Sequence, residues 1–224
     1  MKGIKMSACT KLLSSVAILG VLSACSSSSP SVEASVEERL GAIEDLNERG
    51  LASLEAENFP DEADLPGTAT LTGGLAVFDE ADDSSVIFGD MEVVADFENS
   101  EIDGRAENIT VAEFLNECEE IEDCDVEFIQ NLDGSLTLAG TIDGVDLEGE
   151  ITGELTGTSF DEEGEAAGDL SALVALDADG TFVEDEQGLI AGADLEGGAE
   201  VTVTDGEESF EEELDLFGVM VVAE

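Results

Sequence analysis

Two hydrophobic rhythms divide the chain. From Ser31 to Asn58 the apolar residues Val32, Val36, Leu40, Ile43, Leu46, Leu51 and Leu54 recur mostly three and four apart, the spacing that lines one face of an α-helix. Ser35 followed by Glu38 can form a capping box at its start. Gly41 and Gly50 each cost about 1 kcal/mol relative to alanine inside a helix, so a broken or two-piece helix is an expectation. The segment could be a stalk, a coiled-coil partner helix or a helix packed on the following domain, and packing is preferred.

Phe59-Pro60 and Leu65-Pro66 close that segment; beyond Pro66 there is no proline and the period becomes two. Thr68-Ala-Thr-Leu-Thr72, Met91-Glu-Val-Val-Ala-Asp-Phe97, Ser135-Leu-Thr-Leu138, Val145-Asp-Leu-Glu-Gly-Glu-Ile151 and Val201-Thr-Val-Thr204 alternate and are bounded by Gly, Asp or Asn. Between them stand Asp103-Gly104, Asp133-Gly134, Asp143-Gly144, Asp179-Gly180 and Asp205-Gly206. Short strands with Asp-Gly pairs predict antiparallel hairpins in a sandwich or barrel, although some of these pairs can lie within strands. With about eight strands, closure into one barrel is the economical way to remove sheet edges. A helical interruption is expected around Val111 to Glu120, where Val111, Phe114, Leu115 and Cys118 fall at helical spacing. Gly140, Gly144, Gly149, Gly153 and Gly157 punctuate two neighbouring strands, as a small, strongly coiled barrel requires. The fold class read from the sequence is therefore mainly β: a single antiparallel eight-stranded β-barrel behind a helical segment.

The N-terminus follows neither rhythm. Lys2, Lys5 and Lys11 form a basic leader before an apolar stretch from Leu12 to Leu22. That stretch is shorter than the roughly 20 residues a spanning helix needs and suits the core of a signal peptide. Leu22-Ser23-Ala24-Cys25 resembles the lipobox of lipoprotein signal peptidase. It implies cleavage before Cys25, lipidation of its thiol and a serine tether from Ser26 to Ser29. An ordinary secretory signal with an incidental cysteine is the alternative. Ser26 after the cysteine resembles lipoproteins sorted to the outer membrane, with the face left open. The expected organisation is a signal peptide over 1–24, a lipidated tether over 25–30, a helical segment over 31–60 and a β-barrel domain over 61–224.

Charge narrows the partners. The chain carries 57 Asp and Glu, and every lysine precedes Cys25, so Arg39, Arg49 and Arg105 are the only fixed cations beyond it. Nucleic acid is excluded, because phosphate neutralisation needs clustered Lys and Arg; adsorption to anionic lipid is disfavoured. Acids spread along the whole chain suggest adaptation to brine, where the Debye length shrinks to about 3 Å at 1 M. A dedicated cation-binding role is the alternative. His, Tyr and Trp are absent, which removes the commonest general base and haem ligation by His or Tyr. A Ser-His-Asp or Cys-His arrangement is therefore unavailable. Paired carboxylates are expected by chance at this density, so a non-enzyme is expected.

Two candidate sites follow. Cys118 and Cys124 form a natural disulfide pair in an oxidising envelope; two thiols without His make a poor zinc site. Asp177, Asp179, Gly180 and Glu186 match positions three, five, six and twelve of a calcium loop. Ala175 stands at position one and the flanks read as strands, which favours a hairpin turn with weak calcium binding over a true EF-hand. No other cofactor is expected.

Several segments carry a family likeness. Gly67-Thr-Ala-Thr-Leu-Thr-Gly73 resembles the opening strand of the β-barrel domain of transferrin-binding protein B and related surface lipoproteins. Asp90 to Asn99 followed by Ile102-Asp-Gly104 resembles a hairpin of that family, and Leu138 to Gly157 its glycine-spaced strand pair. Gly180-Thr-Phe182 with Gly188-Leu-Ile-Ala-Gly192 resembles its late glycine segment. Val183-Glu184-Asp185 departs from the family's Gly-Pro and aromatic, and Leu214 to Met220 lacks its basic finish. The resemblance implies the barrel and the lipoprotein setting; transferrin binding, which needs a second subdomain, is not implied. The expected function is binding of a ligand or partner for an outer-membrane uptake system. The alternatives are a structural or accessory lipoprotein acting through its N-terminal helix, or a calcium-stabilised, haloadapted surface protein.

Overall fold

The computed structural model describes residues 36–61, 63, 65–81, 84–115, 125–160, 166–206 and 208–224. One helix, α1 (Val36–Glu55), precedes nine strands. These are β1 (Thr68–Asp79), β2 (Ser85–Asp96), β3 (Glu101–Phe114), β4 (Val126–Asn131), β5 (Asp133–Asp143), β6 (Asp146–Phe160), β7 (Ala166–Asp185), β8 (Gly188–Asp205) and β9 (Glu208–Ala223). All pairings are antiparallel. Eight strands close in the order β1-β2-β3-β5-β6-β7-β8-β9, with β1 pairing β9. Strand β4 stands outside the ring, on the second half of β3, while β5 takes the first half.

The period-two pattern puts hydrocarbon inside and carboxylates outside. Leu71, Leu75, Val93, Ile102, Leu138, Leu147, Ile151, Leu176 and Leu195 are at most 1% exposed and belong to one interior cluster. The barrel is thus a packed core. Glu148, Glu150, Asp177, Asp179, Asp194 and Glu196 alternate with these residues on the outer face. This polarity is the inverse of a membrane-spanning barrel. The wall coils tightly at the predicted glycines: Gly140 pairs Gly149, and a Cβ on Gly140 would lie 2.3 Å from the Glu148 carbonyl.

One sector of the wall is apolar on both faces. Ala76, Val86, Phe88, Ala112, Val183, Ile190, Val221 and Ala223 point outward there and form a second buried cluster with Leu40 and Ile43 of α1. The helix is therefore packed on the outside of the barrel. Ile43 seats over Gly74, where a Cβ would fall 2.7 Å from its Cδ1. Within the described residues no helix is long and apolar enough to cross a membrane.

Two expectations are corrected, and the division of the Asp-Gly pairs between turns and strands is resolved. The helix runs unbroken through Gly41 and Gly50; Gly50 abuts Ile190, and docking offsets the glycine cost. Val111 and Phe114 lie in β3, paired with β2 and β4, where the expected helical interruption should begin; residues 116–124 lie outside the described set. Of the five Asp-Gly pairs, Asp143-Gly144 and Asp205-Gly206 lie at hairpin turns, whereas Asp103-Gly104, Asp133-Gly134 and Asp179-Gly180 lie within strands.

Candidate functional site

At one end the barrel extends into a flap. Strands β6 and β7 continue to Phe160 and Ala166, and β8 and β9 to Asp205 and Glu208. On its outer face, Thr156, Ser171 and Thr202 are in register, as are Thr158, Asp169 and Thr204. These hydroxyls border an open groove of about 480 Å³ together with Gln130, Asn131, Asp133 and Glu154. Gln130 closes one side of it. Its Nε2 donates to the Thr158 carbonyl at 2.8 Å, and its Oε1 accepts from the Thr158 N–H at 3.0 Å. Such a surface offers hydrogen bonds and negative charge without aromatic platforms. On the inner face Gly157, Leu170, Val203 and Phe210 share a row that starts at the barrel interior. Leu170 packs on the core, whereas Phe210 is 65% exposed.

Two arginines secure α1 to the wall, Arg39 near the groove and Arg49 at the opposite end of β7. Arg39 donates from Nε and Nη2 to Asp90 Oδ1 at 3.2 and 3.0 Å, from Nη1 to Thr110 Oγ1 at 2.9 Å and from Nη2 to the Asn108 carbonyl at 2.8 Å. Its guanidinium also lies over the Phe88 ring, 4.8 Å from the centroid. Thr110 in turn donates to Asn131 Oδ1 at 3.0 Å, so this knot touches the groove. Arg49 donates to Asp185 Oδ2 at 2.9 Å. Partial desolvation would raise the Asp185 pKa, but the Gln187 N–H, Arg49 and the Gly188 N–H outweigh it and hold the carboxyl below its ordinary value. Asp96 is likewise lowered, by Asn99 donating to both its oxygens.

The predicted calcium residues do not converge. Asp177 and Asp179 stand in the extended interior of β7, and Glu186 lies in the turn after Asp185, roughly 20 Å beyond Asp179 at the rise of a strand. An extended strand cannot wrap an ion as a loop does. Asp179 instead faces Glu148 and Asp194 across its two neighbours, and Asp177 faces Glu150 and Glu196. Desolvation against the sheet, then repulsion from Asp179 and Glu196, raises the Asp194 pKa above the ordinary carboxylate value. Among the described residues no group of three or more acids or cysteines is placed to hold a metal ion. Cys25, Cys118 and Cys124 lie outside the described residues.

Sequence reasoning missed the groove and the arginine knots. The paired threonines of Thr156 with Thr158 and Thr202 with Thr204 were the available signal; only the register brings them together. Compared with known proteins, the chain matches no family model, no curated protein and no solved structure.

Proposed function

We propose that the chain is an exported, lipid-anchored envelope protein whose barrel is a non-catalytic scaffold. In this reading it binds a ligand or partner for an outer-membrane uptake system at the flap end. The observation that carries the binding mode is the filled interior: with side chains such as Leu71, Leu138 and Leu176 fully buried inside, contact falls to the outer surface and the flap. The lipobox at Leu22 to Cys25 supports export and anchoring. The closed barrel with a glycine close approach in its wall is consistent with the likeness to transferrin-binding protein B-like lipoproteins. The accessory reading, in which the N-terminal helix engages a neighbour, is weakened because Leu40 and Ile43 are already spent on the wall. Haloadaptation fits the outward carboxylates. Strand β3 ends at Phe114 and β4 begins at Val126, so the proposed Cys118–Cys124 disulfide would clip the connection between them.

Mass spectrometry of the membrane-extracted protein tests the anchor: a diacylglyceryl thioether on an N-terminal Cys25 is expected. Recovery from the medium with a free thiol there would refute it. Cross-linking from Thr204 in intact envelopes tests the binding end; the scaffold reading requires a discrete partner adduct, and its absence counts against it.

A further inference from the structure

The end of β9 has a property that the scaffold reading leaves unexplained. Its pairing with β1 stops at Leu216, opposite Asp79, followed by one bond from the Glu80 N–H to the Asp215 carbonyl at 2.8 Å. Between Glu208 and Leu214 it pairs, among the described residues, with β8 alone. Among the described residues its far side is thus a strand edge, a template on which an extended segment can add by main-chain hydrogen bonds.

The side chains along this edge say what fits. Ser209, Glu211 and Glu213 alternate onto the outer face; Phe210, Glu212 and Leu214 alternate onto the inner one. A second copy is disfavoured, since pairing this edge with itself sets carboxylate against carboxylate. Glutamates alone would serve to keep an edge solitary, but Phe210 does not. It prolongs the apolar row of Leu170 and Val203 to the edge itself.

We propose that the β9 edge from Ser209 to Leu214 docks an extended protein segment in which basic and apolar residues alternate. Such a segment sets its cations beside Glu211 and Glu213 and its hydrocarbon beside Phe210 and Leu214, while the backbones pair. This rests on the scaffold reading and names where a partner joins; its test makes no use of the lipid, so the two can fail separately.

The full chain in detergent is titrated with a labelled octapeptide of alternating Lys and Val, and with a matched peptide whose valines are prolines. Anisotropy reports affinity and amide exchange reports location. The Lys-Val peptide should slow exchange across Phe210 to Leu214. Because strand addition needs N–H donors, the proline peptide should bind at least about tenfold more weakly. Glu213→Lys should weaken the Lys-Val peptide by a comparable factor, whereas Glu150→Lys on the distant wall should change it by less than about twofold. Equal binding of both peptides, protection centred on the outer face of β6 to β8, or no binding of the Lys-Val peptide would each overturn the proposal.

Discussion

Leu40 tests whether α1 is part of the folded unit. Its side chain is 1% exposed, sealed between the helix and the outward residues of the wall, whereas Leu54 on the same helix is 37% exposed. Truncating a buried leucine to alanine costs about 2–5 kcal/mol. A surface helix can settle partway into the gap, so about 3 kcal/mol is expected for Leu40→Ala. For a domain of this size each 1 kcal/mol moves the melting temperature by about 2–4 °C, which predicts a fall of about 6–12 °C. Leu54→Ala should stay within about 0.5 kcal/mol. Thermal and urea melts followed by circular dichroism in molar salt measure both variants. If Leu40→Ala leaves the β transition where Leu54→Ala leaves it, or if a separate helix transition appears first, the helix is not cooperative with the barrel. The packing argument then fails.

Three further expectations follow from other parts of the fold. Gly41→Ala should raise stability by about 0.5–1 kcal/mol, because a Cβ there meets nothing within 4 Å; the same urea melts check it. Asp194 has a raised folded-state pKa, so its stabilising contribution is greatest below the ordinary value of 3.8 and is lost as pH rises through the folded value. Asp194→Asn should therefore stabilise at pH 7 in low salt by only about 0.2–0.5 kcal/mol, because the side chain is exposed and its repulsions are screened by solvent, and should lose that advantage below about pH 4, as melts across pH would record. The melting temperature of the parent should climb steadily between about 0.1 and 2 M KCl; indifference to salt would remove the repulsion argument.

The barrel was legible because most of its wall is buried on one side only. Along Met91 to Asp96 the inward Met91, Val93 and Ala95 alternate with Glu92, Val94 and Asp96, and along Leu147 to Ile151 the inward Leu147, Gly149 and Ile151 alternate with Glu148 and Glu150. The same rule explains the misreading at Val111 to Phe114. There Val111 packs toward the barrel core while Ala112 and Phe114 join the outer cluster. With both faces apolar the alternation vanishes, and Val111, Phe114 and Leu115 fall at helical spacing by coincidence. The calcium spacing illustrates a different point. Spacing along a chain does not distinguish a loop, which gathers its ligands, from a strand, which spreads Asp179 and Glu186 apart. The groove was invisible because Gln130, Thr158 and Thr204 meet only through the pairing of four strands.

Each arginine in the described residues is already matched to a carboxylate: Arg39 to Asp90, Arg49 to Asp185 and Arg105 to Glu107. The exterior consequently presents a field of one sign. In dilute buffer that field would draw in any cationic surface from afar, fast and with little discrimination. In brine it reaches barely past the first layer of ions. Encounters would then be blind collisions, and selectivity would depend on which bonds close after touching.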